Sequence, residues 1–128
     1  MKIHLTLPIP PSVNHCYRNI PTTRGMKNRV LTVEASNWKQ FAAWTAKTEI
    51  NSQGWEMPGE NQKVIMEVYA YWPDHRRRDM NNCHKLLCDA LESWLYLDDK
   101  MLLVRDMDFD IDKKKPRLEV YVYPKEEE

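Results

Sequence analysis

Residues 61–73, NQKVIMEVYAYWP, carry apolar side chains on both faces: Val64, Met66, Val68 and Ala70 stand opposite Ile65, Tyr69 and Tyr71. A strand apolar on both sides belongs in the interior of a sheet, with neighbours along each edge. The remaining chain supplies them. KIHLTLPI alternates Ile3, Leu5 and Leu7 against polar partners, and PIPPSVN stops it because proline cannot donate to a ladder. RVLTV reads as a short strand, and MLLVRDMDFDID and RLEVYVYP as two more, joined through KKKP. Trp38, Phe41, Ala42, Ala46 and Ile50 recur at helical spacing over residues 35–52, which end near Gly54. Over residues 80–95, Met80, Cys83, Leu87, Ala90, Leu91 and Trp94 fall on one face of a second helix that packs on a sheet. The order β-β-α-β-α-β-β predicts one α+β domain over residues 1–128, a mixed sheet with two main helices and neither repeat nor linker.

A chain of 128 residues can bury one core without staples. With 42% hydrophobic and 30% charged residues it has the balance of a soluble globular protein, and it contains no 18-residue apolar run to span a membrane. MKIHLTLPIPP alternates and meets proline at once, so no signal peptide is expected. Cys16, Cys83 and Cys88 are odd in number and suit a reducing cytoplasm. His15 and His84 lie near them, but without a C-x2-4-C pair the cysteines read as structural rather than zinc-binding.

A formal net charge of zero argues against a protein that coats nucleic acid indiscriminately. The distribution is uneven, however. Lys2, Arg18, Arg24, Lys27 and Arg29 all precede the first acidic residue, Glu34. This basic quarter reads equally as an arm near phosphates and as a solvated loop. The closing KEEE is a solvated tail.

The stretch PDHRRRDMNNCHKLLCDALESWLYLDD, residues 73–99, sets three arginines against an aspartate and ends on an aspartate pair. Arginine collects phosphate and aspartate repels it, so the combination suits a surface that holds a metal ion against a phosphate. Asn81, Lys85, Asp89 and Glu92 form a polar row on the second helix. Residue by residue a plainer reading is available: Asp79 caps a helix, Lys85 is solvated, and LDDK is an acidic turn.

In combination and order these segments resemble the RusA family of Holliday-junction resolvases. LPIPPSVNHCYR is similar to the family's opening Leu-Pro-x-Pro-Pro-Ser-x-Asn segment with a following aromatic and arginine. PDHRRRDMNNCHKLLCDAL is similar to Pro-Asp-x-Arg-Arg-Arg-Asp-x-Asp-Asn-x-x-Lys-x-x-x-Asp-Ala-Leu, and LDDKMLLV to an Asp-Asp turn before an apolar strand. The resemblance runs over residues 4–123. It implies a homodimeric, magnesium-dependent endonuclease, with manganese as an alternative ion, that makes paired cuts across a four-way DNA junction. It implies that Asp79, Asp98 and Asp99 hold the metal and are catalytic, and that Lys85 stabilises charge on the phosphate. Arg76, Arg77 and Arg78 would position the DNA backbone, with Asn82, Asn14, Arg18 and Lys27 as further DNA contacts.

One position departs from the family pattern. Asn81 stands where the pattern has an aspartate; it can offer an amide oxygen to a metal but no charge. The alternative reading is therefore a junction-binding module with little catalysis, and a plain α+β interaction domain is the third. A final expectation concerns RDMDFDID, where alternation places Asp106, Asp108, Asp110 and Asp112 on one strand face, solvated or at an edge and turned away from DNA.

Overall fold

The computed structural model describes residues 1–12, 16–21, 27–76 and 78–127. Asn14 and Arg77 lie outside the described residues, as do the side chains of Lys27 and Asn82. The strands are β1 (Ile3–Leu7), β2 (Tyr17–Pro21), β3 (Lys27–Leu31), β4 (Val64–Trp72), β5 (Leu102–Ile111) and β6 (Arg117–Pro124). The helices are α1 (Val33–Gln53) and α2 (His84–Leu91), the latter preceded by a 3-10 turn over Met80–Cys83.

Four strands form one mixed sheet in the order β1-β6-β4-β5, and β2 and β3 form a separate antiparallel pair. β4 is central, as its two apolar faces require: it runs antiparallel to β6 and parallel to β5. The two helices and mixed sheet follow the expected architecture, with β2 as an additional strand. It draws Arg18 into a hairpin opposite Val30.

Both helices pack on one face of the sheet. There Ile3, Leu5 and Leu7 of β1, Val64, Met66 and Val68 of β4, and Leu118, Val120 and Val122 of β6 meet Trp38, Ala42 and Ala46 of α1 and Leu87 and Leu91 of α2. Thr32 caps α1, its hydroxyl accepting from the Ala35 amide at 3.2 Å. Gly54 ends the helix at φ 71°, a left-handed conformation that glycine adopts without steric cost. Phe41, on the predicted periodic face, is instead exposed beside Trp44.

The second helix is shorter than residues 80–95. Its first turn is 3-10, and it stops at Glu92, with Ser93 at φ 70°. Tertiary burial decides this ending. The Trp55 indole donates to the Leu95 carbonyl at 3.1 Å, Tyr96 donates to the Cys88 carbonyl at 2.6 Å, and both Leu95 and Tyr96 are buried. A continued helix would carry them past these partners. Trp94, expected on the helix's apolar face, therefore sits in the following turn and is exposed.

The proline-rich segment after β1 has carbonyls to offer and few amides, and the core uses them. The buried Trp38 indole donates to the Pro8 carbonyl at 2.9 Å, and the Cys16 thiol to the Pro11 carbonyl at 3.2 Å. Trp38→Phe retains most of the ring and deletes the donor. Its unfolding free energy is expected to fall by about 1 kcal/mol, read as a lower urea midpoint with an unchanged slope.

Candidate functional site

β4 delivers the chain out of the sheet at Trp72, at the carboxyl end of a parallel strand, where α/β crossovers leave a crevice. Of the segment that follows, residues 73–76, 78 and 79 are described, and Arg78 packs back onto Trp72. The Arg78 guanidinium lies 2.8 Å from Asp74 Oδ1, donates to the Asp74 and Arg76 carbonyls at 3.2 Å, and stacks 5.3 Å from the Trp72 ring. Asp74 also accepts from the Arg76 amide at 3.0 Å. Arg78, followed by that amide, holds the Asp74 carboxyl below the usual carboxylate range. Of the three arginines, then, Arg78 braces the loop from within, Arg76 is exposed, and Arg77 lies outside the described residues.

These residues wall an open groove of about 880 Å³. Ile9, Pro10 and Ser12 form one side; Trp72, Arg76, Arg78, Asp79, Met80, Cys83 and Phe109 complete it. Asp79 is the cap expected of it, Oδ1 accepting from the Asn81 amide at 2.9 Å, and Asn81 is exposed. Burial, reinforced by the Asp106 charge, pushes the Cys83 thiol up to about 12. A thiol so firmly protonated is a poor nucleophile at neutral pH. The groove joins guanidinium and carboxylate on a partly apolar floor.

A second acidic group lies elsewhere. Ligand atoms of Glu92, Asp98 and Asp99 all fall within 4.8 Å of one another. Asp98 accepts from the Lys100 amide at 3.0 Å, capping the 3-10 turn Asp99–Met101, and that bond lowers its pKa. Helical period places Glu92 in the polar row of the second helix; the early end of α2 turns it into this cluster, and no local signal in the sequence marks that ending. Burial and the adjacent acids, Asp89 foremost, push the Cys88 thiol up to about 12.

Asp79 is not a member of this cluster. It follows the carboxyl end of β4, whereas Asp98 and Asp99 precede the amino end of β5, and the two strands are parallel. The 3-10 turn and α2 separate them; eight helical residues alone rise about 12 Å. The structure thus unites Asp98 with Asp99 and places Asp79 with Arg76 and Arg78. Lys85 is exposed on α2 and pairs with Asp89 at 3.5 Å, a surface contact of small energetic value. Arg18 is exposed on β2.

Asp106, Asp108 and Asp110 of β5 do not share a face, and Asp112 lies beyond the strand. Val68 pairs with Asp106 but Tyr69 pairs with Asp108, so Met107 is an extra, bulged residue. The bulge reverses the alternation beyond it. Asp106 stays on the helix side with Leu102 and Val104, while Phe109 and Ile111 replace Asp108 and Asp110 there. Asp106 Oδ1 lies 2.7 Å from His84 Nε2. Asp112 instead caps the β5–β6 turn, accepting from the Lys114 and Lys115 amides and from Arg117.

The family model described as endodeoxyribonuclease RusA matches residues 8–123. The crossover junction endodeoxyribonuclease of Enterobacteria phage 82 is 33% identical over 101 residues, 78% of this chain and 76% of that protein. The crossover junction endodeoxyribonuclease of Escherichia coli K12 is 32% identical over 100 residues, 77% of this chain and 75% of its own length. That of Shigella sonnei is 31% identical over the same shares.

The depressed Asp74 carboxyl has a consequence for pH. A lowered folded-state pKa means that the pair with Arg78 contributes stability above the ordinary carboxylate range and loses it as pH falls through the depressed value. Fluorescence of Trp72, on which Arg78 stacks, is expected to hold steady from neutral pH to about pH 4 and to change below it. Subtracting the titration of Asp74→Asn from that of the unaltered protein isolates this transition, which the variant should lack.

Proposed function

The chain belongs to the RusA endodeoxyribonuclease family, and we propose that it resolves four-way DNA junctions by metal-dependent, paired symmetric nicks. The observation that carries the metal dependence is the convergence of Glu92, Asp98 and Asp99. This donor set consists of carboxylate oxygens alone, which suits a hard divalent cation, magnesium or manganese, and not a thiolate-seeking one. Glu92, Asp98 and Asp99 would hold the ion; bound there, it would supply a more acidic water and neutralise charge on the phosphate. The groove does the binding. Arg76 offers phosphate a guanidinium in solvent, Arg78 holds the loop, and Asp79 sets a carboxylate beside them.

Paired nicks need two sites, and a two-fold homodimer on a two-fold junction supplies them. The separation of Asp79 from Asp98 and Asp99 supports a composite arrangement, in which one protomer's carboxylate turn faces the groove, Asp79 included, of its partner. No helix among the described residues is long and apolar enough to cross a membrane.

Cleavage of a synthetic four-way junction with and without magnesium tests the proposal. Metal-dependent paired nicks support it; binding without cutting in any divalent metal would favour the junction-binding alternative that Asn81 raises. Asp99→Asn should abolish cutting while leaving junction affinity equal or slightly higher, because it removes negative charge near phosphate. Arg76→Ala should weaken binding and lower its salt dependence by roughly one unit of slope.

Mixed protomers test the composite arrangement. Asp79→Asn and Asp99→Asn homodimers are both expected to be inactive. A heterodimer of the two has one intact composite site and should nick a single strand. If each site lies within one chain, that heterodimer stays silent.

A further inference from the structure

We propose that Asp106 is a positioning residue for this site: through His84 it sets the orientation of the Asp79 carboxylate. This rests on the nuclease reading above. Three hydrogen bonds join the two acids. Asp106 Oδ1 meets His84 Nε2 at 2.7 Å, the His84 amide donates to the Asn81 carbonyl, and the Asn81 amide donates to Asp79 Oδ1 at 2.9 Å. The path crosses from the edge strand β5 to the turn that carries Asp79, so it fixes that turn against the sheet.

Two features of the local structure make such a tie necessary. The turn over Met80–Cys83 is 3-10, with poorer hydrogen-bond geometry than an α-helix, and Cys83, at the N-cap of α2, supplies no side-chain cap. The entry to α2 is therefore weakly held by its own backbone. Asp106, for its part, gains little from its position in the sheet. It lies on the helix-facing side with Leu102 and Val104, at the edge strand, where it stays open to solvent. Its side chain, 29% exposed, is turned onto that of His84, 24% exposed, in a direct hydrogen bond. The bulge at Met107 completes the arrangement: it confines the acidic contribution on this side to Asp106, and sends Asp108 and Asp110 to the opposite face.

The test uses the full chain and a four-way junction with magnesium. Asp106→Ala should lower kcat roughly 10- to 100-fold, the range that a misplacement of about 1 Å costs. KM, junction affinity in EDTA and Tm should stay at their original values. Asp106→Asn keeps an oxygen able to accept from the imidazole and should restore most of the rate. Asp108→Ala, on the opposite face, should change nothing. Unaltered kcat in Asp106→Ala overturns the proposal, as does an equal loss in Asp106→Asn, or a loss matched by a falling Tm. If the unaltered protein fails to cut junctions at all, the nuclease reading falls and this inference with it; cutting by the unaltered protein separates the two failures.

Discussion

β4 and β5 lie side by side and run parallel, and a parallel pair can be joined only by a crossover. In this chain the crossover is the segment that carries nearly every charged group of interest. Its outgoing limb, residues 73–79, leaves the carboxyl end of β4; its returning limb, with Asp98 and Asp99, enters the amino end of β5. α2 is buried along Leu86, Leu87, Ala90 and Leu91, and its docking on the sheet holds both limbs in place. Loss of that apolar contact would unseat the groove and the carboxylate turn together.

Electrostatics then divides the labour along this crossover. At one end the internal ion pair of Arg78 with Asp74 leaves Arg76 facing solvent, so one arginine builds the loop and another is available to an anion. At the other end ligand atoms of three carboxylates lie within 4.8 Å of one another, oxygen donors of the kind a hard cation takes. The thiols of Cys83 and Cys88, each close to one of these acidic ends, are pushed up to about 12 by burial. They pack as small apolar side chains.

The legible part of the structure was the part governed by local period. The two-faced apolar run of residues 64–72 had to be a central strand, and it is. Thr32 and Gly54 bracket α1 close to the predicted ends, because cap chemistry is local. Asp79 as a cap was legible for the same reason. What was not legible depended on partners remote in sequence. α2 ends at Leu91 because Trp55, forty residues earlier, captures the Leu95 carbonyl, and that ending is what delivers Glu92 to Asp98 and Asp99. The bulge at Met107 is equally invisible: RDMDFDID alternates without a break, yet the register shift against Val68 and Tyr69 turns Asp108 and Asp110 away from the side of Asp106.

By itself, then, the sequence determined the α+β class, the central strand, the charged crossover and the family to which the chain belongs, since each is written in residue order and period. Tertiary structure alone decided which acids share a site. Carboxylates nineteen residues apart in a motif can look like one constellation, but the parallel pairing of β4 with β5 sends Asp79 and Asp98 to opposite ends of a helix. It also decided that Asp106, apparently one of a uniform acidic row, faces inward to His84. Side-chain direction in a strand is set by its register with a neighbour, and register depends on which strand that neighbour is.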